Sequence, residues 1–374
     1  MTAVPHDLWR PTSGCGEECL PAAGEVPTVP VARRVLRLAA ATGMLLAGLG
    51  VAAVLPALPA CERQALARGW ARTTARAFGV RLVIKGRLPR RRALLVANHV
   101  SWLDILAVLA VAPARLVAKR EVRNWPVLGL LAAAGGTVFV DRSRPRVLPA
   151  TVRRLADTLR AGRSVAVFPE GTTWCAGDDA VTCRPGGGFR PAMFQAAIDS
   201  GSPVVPLRLA YRCEAIGSAT TAAAFLGADT LLRSVARVVA ARDLVVTVTI
   251  AAALHPARDA DRRLLARAAE SAVHLLPAAS GAAGGRRYAA SDLPLAEVVG
   301  PPGGRPSVGA DSCPTTWCHQ VFAVGMVKLW ASATPGSIVA RARPWSPTGR
   351  SRRDRRVQPR SAPALPAETP RRRP

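Results

Sequence analysis

From residue 79 onward the chain carries seven short apolar runs interleaved with stretches of helical spacing. The runs are "VRLVIKG", "ALLVAN", "ARLVAK", "TVFVD", "SVAVFP", "PVVPLRLAY" and "LVVTVTIAA". Short runs rich in Val, Ile and Leu suit strands, and the intervening periodicity predicts helices over 102–111, 126–134, 146–161, 190–200, 229–241 and 260–276. Strands apolar on both sides must be covered on both sides. The fold predicted is therefore α/β: a central, mostly parallel or mixed sheet flanked by helices. In such sheets chemistry gathers in loops leaving the carboxyl ends of strands. "NHVSWLD" (98–104) and "FPEGTTW" (168–174) both stand at a strand-to-helix exit of that kind.

Ahead of this domain, Leu38 to Cys61 is free of charge and long enough to cross a ~30 Å hydrocarbon core. Arg33, Arg34 and Arg37 precede it, while Pro56 and Pro59 also suit a helix that enters a bilayer and turns back. The next segment places Arg68, Arg72 and Arg76 on one helical face and Leu66, Trp70, Thr73 and Ala77 on another, the layout of an interfacial helix. These features divide the chain into a flexible tail (1–32), an N-terminal helical membrane anchor with an interfacial helix (33–78), the α/β domain (79–284) and a largely disordered Pro/Arg-rich tail (285–374).

A net charge of +27 invites a nucleic-acid reading, yet 48 of the 51 basic residues are arginine and residues 301–374 alone contribute +10. With 5% aromatics and no recognisable nucleic-acid module, no nucleic-acid partner is expected. An anionic membrane surface or an acidic substrate fits the charge better. Eight cysteines in 374 residues do not make a disulfide framework. Cys15 with Cys19, Cys175 with Cys183, and Cys313 with Cys318 form loose pairs without convincing zinc-ligand spacing, so no metal is expected.

Three constellations carry chemistry. Ser101 and Asp104 form an S-x-x-D sequence at a helix start, where both can serve as caps. His99 ends an apolar strand, and a carboxylate one helical turn away could instead fix its tautomer and leave the other nitrogen as a base. Taken alone, the stretch supports either role for Asp104. Glu170, Gly171 and Thr172 form a turn after a buried strand, with Gly171 permitting positive φ and Thr172 offering a hydroxyl. Arg142 leaves the strand end of "TVFVDR", where it suits a phosphate or simply a pairing with Asp141.

"NHVSWLD", "VFVDR", "FPEGT" and "PVVPLRL" occur in the order and rough spacing of the four blocks of the glycerolipid acyltransferases. The chain resembles that family, typified by 1-acylglycerol-3-phosphate acyltransferase, over roughly residues 80–275. The resemblance implies a membrane-associated O-acyltransferase of phospholipid biosynthesis. In it His99 would be the general base, oriented by Asp104. Arg142 would help to hold the acceptor's phosphate, Glu170, Gly171 and Thr172 would form the acceptor-binding turn, and Pro206 would lie on the fourth block's strand. It also implies a lysolipid acceptor, an acyl-CoA or acyl-carrier-protein co-substrate, no bound cofactor, and a place at the cell membrane with the catalytic domain on the cytoplasmic side.

One residue departs from the pattern. The family's third block commonly continues E-G-T-R, whereas Thr173 stands in the arginine's place here. A neutral hydroxyl cannot supply that charge. Either Arg190 or another arginine compensates, or the acceptor is another lysolipid such as lyso-ornithine lipid. Two other classes fare worse: a lipid hydrolase using Ser101 lacks a G-x-S-x-G elbow, and a non-catalytic membrane-binding protein has no need of an intact His–Asp pair.

Overall fold

The computed structural model describes residues 11–89, 92–176, 183–185, 188–227 and 229–275. The Pro/Arg-rich tail and the Cys313–Cys318 pair lie outside the described residues. All seven apolar runs form strands: β1 (Val80–Lys85), β2 (Leu94–Ala97), β3 (Arg115–Lys119), β4 (Val138–Val140), β5 (Val165–Val167), β6 (Val204–Cys213) and β8 (Leu244–Ile250). A two-residue strand, β7 (Ser218–Ala219), was not expected; it pairs antiparallel with the end of β6. The sheet order is β1-β8-β6-β2-β5-β3-β4. The β6–β8 pair is antiparallel, whereas β1–β8, β2–β6, β2–β5, β3–β5 and β3–β4 are parallel, so the sheet is mixed.

This topology decides where chemistry can occur. Parallel neighbours release their following residues at one edge, and β2 and β5 are aligned with Val96 opposite Val167. The residues after them, Asn98–His99 and Phe168–Glu170, therefore emerge side by side. On the other flank β6 passes Ala97 at Leu207 and runs four residues further to Tyr211. Pro206 lies on this strand opposite Val96.

Burial explains why β2 is central. Leu94 and Val96 face one apolar cluster and Leu95 and Ala97 the other, all at 2% exposure or less. Fully burying a Val or Leu stabilises the fold by roughly 1.5–3 kcal/mol, so a polar residue anywhere in this strand would be costly. Helices α5 (Leu148–Arg160), α6 (Phe194–Ser200) and α8 (Arg262–Leu275) contribute to the first cluster through Leu155, Phe194 and Ala269. The second takes α3 (Leu103–Val111) and α7 (Leu231–Ala240) through Leu103 and Val238. The short α4 (Leu128–Ala134) completes the predicted helices.

The N-terminal half of the chain differs from expectation in two ways. Residues 11–30 were expected to be a flexible tail, yet Cys15 and Val29 are buried. The Val29 N–H donates to Ala240 O and the Arg242 N–H to Pro27 O, so this segment is stitched along the end of α7. Cys15 and Cys19 come to rest against Cys175 and Cys183, although sequence separation gave no hint that the two pairs meet.

The second difference concerns the expected interfacial helix. In α2 (Ala60–Ala77) the buried side is Ala71, Thr74 and Ala75, continued by Phe78, which packs edge-on against Trp102. Small residues let α2 approach α3 closely, so the helix belongs to the domain; Arg72 and Arg76 remain exposed. Helix α1 (Val31–Val54) packs along α2 through Gly48, whose missing side chain makes room for the Trp70 ring. The Trp70 indole N–H donates to Met44 O, and Arg37 donates to Val239 O and Ala241 O. The outward side of α1 is apolar and open, including Val31, Val35, Leu36, Leu38, Leu46 and Val54. Together with the turn that follows, Val31–Ala57 is long and apolar enough to cross a membrane.

Candidate active site

His99 leaves β2 and Asp104 lies in the first turn of α3. Their side chains meet, with His99 Nδ1 2.9 Å from Asp104 Oδ2. The same Oδ2 accepts from the backbone N–H groups of Val100 (2.6 Å) and Ser101 (2.9 Å). Asp104 Oδ1 accepts from the Tyr211 hydroxyl. Four donors thus converge on one fully buried carboxylate. Ser101 Oγ accepts from Leu103 N–H (3.3 Å), so the helix start is capped as the S-x-x-D spacing suggests. Capping and orienting are performed by the same aspartate, because the backbone that closes the helix start also carries His99.

A carboxylate that can only accept requires a proton on His99 Nδ1. Nε2 then keeps its lone pair, and among the described residues it has no hydrogen-bond partner. The imidazole is about one-fifth exposed and stacks on Phe168, with ring centroids 4.1 Å apart and planes 16° from parallel. Burial and the neighbouring Asp104 push the Tyr211 phenol well above its ordinary range, so it stays a donor. Asn98 completes the frame by bonding both ways to the Leu209 backbone, at 2.9 and 2.8 Å.

Glu170 lies beneath this pair. It is 1% exposed, and its Oε2 accepts from the His99 backbone N–H at 2.8 Å. Its Oε1 has no hydrogen-bond partner and stands 3.7 Å from His274 Nε2, also unpartnered, on α8. The distance suggests an ion pair, but desolvation points the other way. Burial pushes Glu170 up to about 8, outweighing the His99 N–H that favours its ionised form. Burial, with Arg184 and Arg208 nearby, pushes His274 down to about 4. At neutral pH the two are a neutral acid facing a neutral imidazole. Although sequence grouped Glu170 with the acceptor turn, its carboxylate serves the backbone that carries His99.

The turn itself is built around Gly171, at φ +77, a conformation that side chains resist. A Cβ placed there would stand 3.6 Å from both Arg142 Nη2 and Arg190 Nε, so two guanidinium groups flank the same backbone position. Arg142 is lowered by burial and then by the repulsion of Arg190, with Glu121 partly opposing. Guanidinium groups suit bidentate bonding to an anion such as a phosphate. Asp141 does not neutralise Arg142: its carboxylate pairs with Arg120 (2.7 Å) and Arg144 (3.8 Å). Thr172 follows Gly171 on this turn, half-buried. Thr173 donates its hydroxyl to Phe225 O and so ties the turn to the segment that also bonds Val100 O.

His99 and Asp104 are thus directly joined, Glu170 joins them from below, and Arg142 reaches Gly171 from the end of β4. Sequence reasoning missed Tyr211, Phe168 and His274. Tyr211 and Phe168 left a faint trace, as lone aromatics at the ends of otherwise aliphatic strand runs.

Comparisons with known proteins identify the family. A family model described as Acyltransferase matches residues 79–210. The chain is 35% identical over 252 residues to the lyso-ornithine lipid O-acyltransferase of Pseudomonas aeruginosa, covering 65% of this chain and 93% of that protein. It is also 35% identical over 187 residues to the 1-acyl-sn-glycerol-3-phosphate acyltransferase of Neisseria gonorrhoeae, covering 50% of this chain and 69% of that protein. Among solved structures it is similar to the 1-acyl-sn-glycerophosphate acyltransferase of Thermotoga maritima (20% identity, 65% of this chain and 92% of that one, TM-score 0.47), a likeness too loose to add to the fold already described. With its blocks assembled at one sheet edge and relatives matched over most of their length, the chain belongs to the acyltransferase family of lysolipid acyltransferases.

Proposed function

We propose that this acyltransferase moves a fatty acyl group from an acyl thioester, either acyl-CoA or acyl-carrier protein, to the hydroxyl of a membrane lysolipid, with His99 as the base. The observation that carries the reading is the His99–Asp104 pair, which leaves Nε2 open at the sheet edge where Arg142 and Arg190 flank Gly171. Nε2 removes the acceptor hydroxyl's proton as that oxygen attacks the thioester carbonyl carbon. The tetrahedral intermediate collapses by breaking its carbon–sulfur bond, and the imidazolium returns the proton to the departing sulfur. Asp104 stabilises the imidazolium and holds its ring in place.

Arg142 and Arg190 receive the acceptor's acidic headgroup. A charge-assisted hydrogen bond contributes roughly 1.5–3 kcal/mol, enough for Arg190 to replace the arginine absent at position 173. With two guanidinium groups at the turn, 1-acylglycerol-3-phosphate is the favoured acceptor and phosphatidic acid the product. Thr173 favours a second reading, because a single neutral position on the turn also suits the smaller charge of a lyso-ornithine lipid. The open apolar side of α1 supports a place at the membrane. In this reading the catalytic domain lies on the cytoplasmic side, and α1 with α2 forms the surface through which lysolipid arrives.

The test is an acyl-transfer assay with a panel of lysolipids, run with each donor and beside His99→Ala. Removing the base should lower turnover by at least ~10²-fold while leaving the protein folded. Near-normal turnover in the folded variant would refute the role of His99.

A further inference from the structure

Outside the catalytic centre, the cysteines form the most concentrated group of potential ligands among the described residues. Cys15 and Cys19 come from the N-terminal segment, Cys175 and Cys183 from the chain that follows the Gly171 turn, and all four Sγ atoms lie within 4.8 Å of one another. Cys15 and Cys175 are buried, Cys19 and Cys183 half-buried, and all four are free thiols. Cys19 Sγ and Cys183 Sγ are 3.6 Å apart. Zinc bound by four thiolates at about 2.3 Å sets its sulfurs roughly 3.8 Å apart, so this pair already has the spacing and the widest must close by about 1 Å.

We propose that Cys15, Cys19, Cys175 and Cys183 bind one structural zinc ion in a closed tetrahedral Cys₄ site. Three observations favour a single shared ion. Two disulfides would require two close pairs, whereas here every sulfur is near the other three. A two-iron cluster would hold its sulfur pairs further apart. The Cys175 N–H donates to Cys15 Sγ at 3.2 Å, the kind of backbone bond that orients a thiolate ligand. Among the described residues no carboxylate or imidazole joins the four sulfurs, which leaves a soft, all-thiol ligand set.

The site gives the N-terminal segment a reason to be ordered. Apart from Cys15 and Val29 it buries little, so backbone bonds to the end of α7, partial packing of Leu20 and Val26, an exposed Glu17–Arg233 pair and the sulfur cluster hold it. Cys175 follows Thr173 by two residues, and Pro11 lies against Gly171. Zinc would fasten a segment that passes over the turn to the strand exit that forms it.

The test uses the full-length chain purified in detergent under reducing conditions. Metal analysis should find about one zinc per chain, and Co(II) replacing it should give the intense thiolate charge-transfer and tetrahedral ligand-field bands of a Cys₄ site. Cys19→Ser together with Cys183→Ser, at the two half-buried positions, should abolish both signals and expose the N-terminal segment to protease. The wild-type cobalt spectrum decides the matter even if the double variant folds poorly. Four results would each overturn the proposal: less than about 0.1 zinc per chain after incubation with Zn(II) and desalting; disulfides joining these cysteines; iron with acid-labile sulfide in place of zinc; or full zinc retention in the double variant.

Discussion

Glu170 and His274 make a quantitative demand on stability that geometry alone does not suggest. Glu170 moves from 4.5 in the unfolded chain to about 8, and His274 from 6.5 to about 4. Between pH 4.5 and 6.5 the folded pair holds one proton, on Glu170, and the unfolded pair also holds one, on His274. Their opposing contributions cancel there, and stability is level. Above 6.5 the unfolded pair holds none while Glu170 stays protonated in the folded protein. Stability therefore falls as pH rises, by about 1.36 kcal/mol per unit, until it levels off near 8. One and a half units amount to about 2 kcal/mol, and the group is buried deeply enough that solvent screening does little to reduce it.

The perturbation is Glu170→Gln, which keeps the shape and an acceptor for the His99 N–H but cannot ionise. Thermal unfolding of both proteins in the same detergent, at half-unit steps from pH 4 to 8.5, removes every contribution they share. The wild type should lose roughly 4–8 °C relative to the variant between pH 6.5 and 8. The variant should instead gain stability between pH 4 and 6.5, where only His274 titrates. Parallel curves for the two proteins from pH 6.5 to 8 would show that Glu170 is already ionised, and the neutral-pair reasoning would fail.

Other expectations follow from the same geometry. Asp104→Asn places an amide N–H or a weaker acceptor at Nδ1 and should lower turnover by at least ~10²-fold; steady-state kinetics beside a melting curve separates this from a simple loss of capping, worth about 1 kcal/mol. Tyr211→Phe strands Asp104 Oδ1 in the core and should cost about 1–3 kcal/mol of stability by denaturant titration. Arg190→Gln should raise KM for 1-acylglycerol-3-phosphate by roughly 10- to 100-fold with kcat less affected, and Thr173→Arg in that background should recover part of the loss. An unchanged KM would remove Arg190 from the acceptor site.

What the sequence revealed and what it hid divide along one physical line. The strands were legible because β2 and β5 are apolar on both faces, and short length with β-branched content marks such runs. His99 and Asp104 were legible because their contact is local, spanning one helix start, although sequence left capping and catalysis as rivals. In the structure Asp104 Oδ2 accepts from His99 Nδ1 and from two backbone groups together, so capping the helix and holding the imidazole do not exclude each other. Contacts between distant positions left no such trace. Tyr211 reaches Asp104 across 107 residues only because β6 outruns β2, and Cys15 meets Cys175 across 160 only because the N-terminal segment turns back over α7. Arg190 was named from sequence as one possible source of the missing charge, but its place beside Gly171 was not legible: it depends on the Arg190 N–H donating to Pro169 O. That bond brings Arg190 to the turn whose own fourth position is a threonine, where under the proposed function it would supply the charge absent at 173.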